Sequence, residues 1–163
     1  MTLRSWWRRI SGAELRDQRA YIDRCVQSAP TEDAIRQVES ALLQGEKFHV
    51  VANEAGTMPL NGSVPELVGR LFRRYSVINT LYSDVTISHE LCRPTNLLPA
   101  FVKIGEHTAH DELLVKHDDD RLYVFDGGDG DPFEDSYPSV YHYLLSIIAI
   151  VHPELVSLWD PRF

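Results

Sequence analysis

The chain has 163 residues, of which 44% are hydrophobic and 25% are charged, and its formal net charge is −8. This composition is typical of a soluble globular protein and excludes wholesale disorder. Two cysteines far apart in the sequence exclude a disulfide-rich scaffold, and the apolar runs are too short to cross a bilayer.

The negative charge is concentrated in the second part of the chain. Residues 1–62 carry eight acidic and eight basic side chains, whereas residues 63–163 carry sixteen acidic and eight basic ones. Eleven acids lie between Glu106 and Asp135, where the bases are Lys116 and Arg121. Such a field repels phosphate backbones, so we expect no nucleic-acid partner and instead a basic protein partner.

The N-terminal part predicts two helices followed by a strand. Ser11 with Glu14 forms a capping box for the first helix, which ends before Pro30. Thr31 caps the second helix, whose apolar face carries Ile35, Val38 and Leu42 and which stops at Gly45. The segment KFHVVAN is β-prone, EAGT reads as a turn, and MPL is the candidate for a returning strand.

A third helix is predicted in VPELVGRLFRRY. Ser63 is its candidate cap, Pro65 lies in its first turn, and its apolar stripe runs from Leu67 to Tyr75. The arginines Arg70, Arg73 and Arg74 lie on its polar side. Either they form an ordinary solvated helix face or they contact phosphate, and we favour the solvated face.

The remainder predicts strands and a closing helix. The segments DVTIS and FVKIG are short and β-branched, and ELLVK and RLYVFD pair as a hairpin around HDDD, with Leu122 and Val124 buried. A glycine-rich acidic loop follows, and Ser136 or Ser139 opens a final apolar helix that runs to about His152. The order of elements predicts an α+β fold with N-terminal helices, a mostly antiparallel sheet and a packed C-terminal helix.

The chain divides at the polar segment LNGS. We interpret residues 1–62 as a helical N-terminal extension with a short hairpin, and residues 63–163 as the main α+β domain, the two forming one compact unit. The N-terminus lacks the apolar core of a secretory signal, so we expect a cytoplasmic protein. We interpret Trp6 and Trp7 as docked on the core rather than on a membrane, and expect no membrane partner.

The motifs for metal binding are incomplete. The acidic loop from Asp126 to Asp135 lacks the alternating ligands of an EF-hand and contains a proline. His107, His110 and Asp111 resemble part of a zinc site but fall in a predicted loop without further ligands, and His89 begins a zincin-like segment that lacks its second histidine. We therefore predict no bound metal and interpret these histidines as loop residues.

The motifs for covalent catalysis are also missing. The sequence contains no nucleophile elbow, no phosphate-binding loop and no dinucleotide fingerprint. Cys25 lies in a predicted helix and Cys92 follows a predicted strand, and no neighbouring residue lowers the pKa of either thiol, so we interpret both as buried. We predict that the protein is not an enzyme and needs no cofactor.

The segment from Leu98 to Ile148 resembles the SUKH superfamily. The matching features are a strand ending in Ile104–Gly105, the strand ELLVK, an acidic turn, the strand RLYVFD, a loop and a Ser-led apolar helix, with VPELVGRLFRRY as the preceding helix. The likeness covers roughly residues 64–150, about half the chain. It implies an α+β fold that acts by binding proteins, as in bacterial toxin-immunity proteins and regulators of fungal cell-wall synthesis.

The charge distribution and the resemblance together predict an immunity protein that binds and neutralises a basic toxin effector domain. The alternatives are a non-catalytic regulatory scaffold and, less favoured, a metal-dependent hydrolase. The predicted partner-binding residues are acids of the second half of the chain. They are Asp118, Asp119, Asp120, Asp126, Asp129, Asp131, Glu134 and Asp135.

Overall fold

The computed structural model describes residues 30–44, 46–58, 64–81, 84–95, 98–107, 111–126 and 135–156. The helices are α1 (Glu32–Gln44), α2 (Glu66–Arg74), α3 (Val140–Val151) and the short α4 (Pro153–Val156). The strands are β1 (Phe48–Ala52), β2 (Tyr75–Thr80), β3 (Val85–Ser88), β4 (Arg93–Pro94), β5 (Phe101–His107), β6 (Asp111–Lys116), β7 (Asp119–Asp126) and β8 (Asp135–Tyr137).

All eight strands belong to one antiparallel sheet. Its order is β1-β2-β3-β5-β6-β7-β8, and β4 pairs with β5 beside this path. Most neighbours in the sheet are also neighbours in the sequence, which is the meander that the short β-branched runs predict. The predicted α+β class, with a mostly antiparallel sheet and a packed C-terminal helix, is confirmed.

The hairpin of β6 and β7 forms where the sequence predicts it. Val115 faces Leu122 and Leu113 faces Val124 across the pair, while His117 and Asp118 form the turn. Leu122 and Val124 are buried. Asp119 and Asp120, which the sequence assigns to the connecting loop, instead begin β7.

The partner of β1 differs from the prediction. Met58 is not part of a strand, and β1 pairs with β2, which follows α2 without an intervening turn. Tyr75, predicted as the last residue of the apolar helix stripe, ends the helix and starts β2 with extended dihedral angles. The β-branched residues of SVINT favour an extended chain, and pairing with β1 satisfies their backbone groups.

Helix α1 starts and packs as its sequence indicates. The Thr31 hydroxyl accepts a hydrogen bond from the Ala34 amide at 3.1 Å. Ile35, Val38 and Leu42 are all buried. They join the same hydrophobic core as Phe72 of α2 and the side chains of α3. Residues 32–52 thus contribute a helix and an edge strand to the sheet and core formed with residues 66–151.

Helix α3 is enclosed on nearly every side. Ser139 is its N-cap and accepts from the His142 amide, whereas Ser136 lies in β8, so the structure selects Ser139 from the two predicted caps. Tyr141, Leu145 and Ala149 are as buried as the predicted core-facing residues. The helix contacts α1, α2, β7 and β8. Within the residues that the structure describes, no helix is long and apolar enough to cross a membrane.

Several predicted features fall on residues that the structure does not describe. They are the first helix with Ser11 and Glu14, the tryptophans Trp6 and Trp7, Cys25, Gly45, the candidate cap Ser63, His110, and the acidic loop residues Asp129, Asp131 and Glu134.

Candidate partner-binding surface

The turn between β6 and β7 carries three of the predicted partner-binding acids. Asp118 is exposed, and Asp119 and Asp120 are half-buried at the start of β7. The Asp119 carboxylate accepts a hydrogen bond from the Arg121 amide at 3.0 Å, which stabilises the turn locally. The Asp118 side chain has no such contact among the described residues, so its charge faces solvent.

Asp120 caps a helix that is distant in the sequence. Pro65 stands at the N-cap of α2 and provides no side-chain hydrogen bond. The Asp120 carboxylate instead accepts from the Leu67 amide at 2.8 Å across 53 positions of sequence. It satisfies one of the unpaired amides at the helix start, the role that the sequence assigns to Ser63.

The cap brings a fourth carboxylate into the group. Glu66 is exposed in the first turn of α2, and its charge acts on Asp120 together with that of Asp119. Burial, and then these two neighbouring carboxylates, raise the pKa of Asp120 above its usual range despite the stabilising Leu67 amide. We name Glu66, Asp118, Asp119 and Asp120 the acidic cluster. Among the described residues, none of the four forms an ion pair with a lysine or arginine.

The remaining predicted acids lie at the far end of β7. Asp126 is the last residue of that strand, and Asp135 begins β8 opposite Val124. Six residues of extended chain separate Asp120 from Asp126, which corresponds to about 20 Å. The structure therefore places the predicted acids at the two ends of β7. The sequence, in which they form one stretch, does not indicate this separation.

Two other acids of the stretch are neutralised by a buried lysine. Glu106 and Glu112 face each other across β5 and β6, and Lys103 donates to both, at 2.5 and 2.9 Å. Burial lowers the pKa of Lys103, but the two carboxylates outweigh that effect and the net pKa is raised. The lysine remains charged at neutral pH and cancels much of the field of this pair.

Two of the three candidate zinc residues, His107 and Asp111, are buried at the ends of strands rather than in a loop. His107 ends β5 and lies opposite Asp111, the first residue of β6, and both are buried, so the loop interpretation of these two residues is wrong. The His107 ring lies 6.5 Å from the ring of Tyr143 in α3. Burial lowers the pKa of His107 and raises that of Tyr143 well above its usual range. Both groups are therefore neutral at pH 7.

Metal ligation has no support within the described part of the chain. No group of three or more histidine, cysteine, aspartate or glutamate side chains is placed to hold an ion there. His89, the start of the zincin-like segment, uses its Nε2 atom to contact the carbonyl oxygen of Phe72 at 3.0 Å. Cys92 is buried, and burial raises the pKa of its thiol to about 12.

Two of the arginines of α2 are engaged with α1. Arg70 donates two hydrogen bonds of 2.7 Å to the Glu32 carboxylate, and Arg74 contacts Glu39. Hydrogen bonding to Arg70 lowers the pKa of Glu32. Arg73 and Arg74 are exposed, as the favoured prediction of a solvated helix face has it, whereas Arg70 is half-buried. The ion pairs of Arg70 and Arg74 with α1 are a feature that the prediction did not include.

Sequence reasoning identified Asp118, Asp119 and Asp120 but missed Glu66 as a member of the acidic cluster. The available signal was the acidic residue in the first turn of a predicted helix, a position that the helix dipole favours for any glutamate. Its proximity to Asp120 depends on the packing of α2 against β7.

No protein-family model, curated protein or solved structure matches this chain.

Proposed function

We propose that the protein is a non-catalytic binding protein that neutralises a basic effector domain, with the acidic cluster as its main contact. The observation that carries the proposal is the concentration of Glu66, Asp118, Asp119 and Asp120 at one place without cationic partners among the described residues. The charges of Glu66 and Asp119 disfavour the charged form of Asp120, so a cation supplied by another molecule would relieve this repulsion.

The comparison with other acids of the chain supports this choice. Glu32 and Glu39 are paired with arginines, and Glu106 and Glu112 share Lys103. Their charges are compensated within the molecule, so a basic partner has less to gain from them. The resemblance to the SUKH superfamily, whose members act by binding proteins, supports the same reading.

The partner expected from this chemistry is a domain with lysines or arginines around a substrate cleft. Complementary surfaces of this kind raise the association rate more than they slow dissociation. Asp126 lies about 20 Å from Asp120 along β7, and Asp135 lies opposite Val124, which is about 13 Å from Asp120 along the same strand. Both acids are expected to contribute to steering rather than to direct contact.

The test compares two double variants with the same change in net charge. Glu66→Gln with Asp118→Asn removes two exposed members of the acidic cluster and leaves the Asp120 cap in place. Asp33→Asn with Glu54→Gln removes two exposed acids elsewhere on the surface. The genes on either side of the one that encodes this chain are searched for a basic effector domain. Association with that domain is measured at low and high salt, together with protection of cells that express it, and the absence of any such binding partner would contradict the proposal.

The cluster variant is expected to associate about 2- to 30-fold more slowly than the wild type, since each exposed pair contributes about 0.2–1 kcal/mol. The control variant should associate nearly as the wild type does, and added salt should slow the wild type. Equal effects of the two variants would show that only net charge matters. Unchanged association and protection in the cluster variant would place the contact elsewhere.

A further inference from the structure

The sheet buries side chains on both of its faces. Leu113 and Val115 of β6 belong to the hydrophobic core that also contains the side chains of α3. Leu114 lies between them, and because successive side chains of a strand point to opposite faces, it points away from that core. Leu114 nevertheless has 0% of its surface exposed. We name the face of the sheet that carries Leu114 the outer face.

The residues beside Leu114 form one continuous patch on the outer face. Lys103 of β5 and Tyr123 of β7 lie opposite Leu114 on its two sides, and Lys103 is also buried. The rings of Phe101 and Tyr123 lie 5.3 Å apart, and the Lys116 ammonium group lies 5.5 Å from the centroid of each. Phe101 is buried as well. A sheet face open to water leaves its side chains solvated, so another part of the chain covers this patch.

The helices that the structure describes lie on the other face. Helix α3 contacts β7 and β8, and α2 contacts β7. The core that these helices share with the sheet contains neither Leu114 nor Phe101. The cover of the outer face therefore comes from residues outside the described ranges. Residues 1–29 are the longest such segment, whereas 127–134 and 157–163 have eight and seven residues and the others have at most five.

The segment 127–134 suits the outer face poorly. It carries three acids and no basic residue. Glu106 and Glu112 lie on the outer face, because both accept hydrogen bonds from Lys103. Covering this face with residues 127–134 would bring further carboxylates toward these two, and like charges repel one another.

The segment 157–163 begins far from the patch. It continues from α4, and the ring of His152, immediately before that helix, lies 6.1 Å from the ring of Phe48 in β1. In the order of the sheet, β1 is four strands away from β6, which corresponds to about 19 Å.

The charge and the starting point of residues 1–29 suit the outer face. They contain six arginines and three acids, a net charge of +3, so the remainder of the chain carries −11. Opposite charges attract, and a covalent connection raises the effective concentration of the two parts. Burial, and then the positive charge of the N-terminus, lower the pKa of His107. The chain therefore starts near the end of β5, one of the three strands of the patch.

The same residues supply apolar side chains for the cover. Trp6 and Trp7 are the largest of them, and the helix predicted after Ser11 carries Leu15 and Ile22 on one side. An amphipathic segment gains free energy when such a stripe is buried on an apolar surface.

We propose that residues 1–29 of the same chain lie across β5, β6 and β7 on the outer face and cover Leu114 and Phe101. The sheet then stands between two layers, with the helices of the common core on one side and the N-terminal segment on the other. The outer face is thereby closed to other molecules. The inference does not rest on the proposed function, since the variants that test the acidic cluster lie outside this patch.

The first experiment identifies the cover by photo-cross-linking in the full chain. The probe p-benzoylphenylalanine replaces Tyr123, a half-buried aromatic residue of the patch, and cross-linked peptides are mapped by mass spectrometry after irradiation. The cross-links should map to residues 1–29 within one molecule. The same probe at Leu43, which is exposed on α1, is the control and should give no cross-link to residues 1–29. Cross-links from position 123 to residues 127–134, to residues 157–163 or to a second molecule would overturn the proposal.

The second experiment uses the wild-type chain and needs no substitution. Nuclear Overhauser effects from the methyl groups of Leu114 should connect them with side chains of residues 1–29. The methyl groups of Leu113, on the other face of β6, are the control and should show contacts with the common core instead. A complete set of contacts for Leu114 without any residue of 1–29 would overturn the proposal, whichever segment takes their place.

Discussion

Glu39 of α1 accepts a hydrogen bond of 3.0 Å from the hydroxyl group of Tyr141 in α3, across 102 positions of sequence. Both residues are buried, and Arg70 and Arg74 of α2 contact the same carboxylate. One side chain therefore joins α1, α2 and α3. Burial raises the pKa of Tyr141 to about 12, so the hydroxyl keeps its proton and remains a donor at all ordinary pH values.

Removal of this carboxylate should destabilise the fold. Glu39→Ala leaves the Tyr141 hydroxyl without its acceptor inside the protein, and we expect a loss of about 1–3 kcal/mol in the free energy of unfolding, measured by urea denaturation. Glu32→Gln weakens an exposed contact with Arg70 and should cost less than about 1 kcal/mol. If both variants lost the same stability, the buried contact would carry no special weight.

Asp120 should stabilise α2 through its position as an acceptor rather than through its charge. Asp120→Ala removes the cap and should lower the free energy of unfolding by about 0.5–2 kcal/mol, whereas Asp120→Asn keeps an oxygen for the Leu67 amide and should lose little at pH 7. Asp118→Ala, a neighbouring change without a cap, is the control. If Asp120→Asn lost as much stability as Asp120→Ala, the charge of Asp120 rather than its position as an acceptor would stabilise the start of α2.

The pH dependence of Asp120 follows from its raised pKa. The folded protein holds the proton more tightly than the unfolded chain, whose carboxyl has an ordinary pKa near 3.8. The contribution of this group to stability is therefore full below that value and is lost as pH rises through the folded-state pKa. The difference in stability between wild type and Asp120→Asn should change over that window and be constant above it. A constant difference from low to neutral pH would contradict the raised pKa.

Two glycines should respond in opposite ways to the same substitution. A Cβ atom at Gly105 would lie 2.3 Å from the Thr86 carbonyl oxygen, which belongs to the paired backbone of β3. Gly105→Ala must separate the two strands and should cost at least about 1–3 kcal/mol. At Gly69 the nearest atom is the flexible end of Met58 at 3.2 Å, and alanine favours the helix by up to about 1 kcal/mol. Thermal denaturation should show a lower melting temperature for Gly105→Ala than for the wild type, and an equal or higher one for Gly69→Ala. Equal melting temperatures of the two variants would contradict this prediction.

Cys92 should be unreactive in the folded protein. Its pKa of about 12, against an ordinary value of 9.0, lowers the thiolate fraction about a thousandfold, and burial also restricts access. In a Cys25→Ser variant, which leaves Cys92 as the remaining thiol of the chain, we expect alkylation to proceed only as fast as the protein opens. Denaturant should restore the ordinary rate. Rapid labelling under native conditions would contradict the burial of this side chain.

The sequence by itself determined the elements whose signals are local. The Thr31 cap and the spacing of Ile35, Val38 and Leu42 indicate α1 because capping and helical periodicity act over a few residues. The hairpin of β6 and β7 follows from two apolar runs joined by a short polar turn, and Ser139 is one of two serines that locally fit the start of α3.

Only the tertiary structure decided which distant residues meet. The pairing of β1 with β2, the capping of α2 by Asp120 and the contact of Glu39 with Tyr141 join residues between which the sequence carries no local signal. The arrangement of the acids was also decided by the tertiary structure. The sequence shows one acidic stretch, but the length of β7 separates Asp120 from Asp126. The packing of α2 against β7 brings Glu66 into the acidic cluster. The interaction between two charges and the burial of a side chain depend on distances through space. These distances are set only when the sheet and the helices pack around a common core.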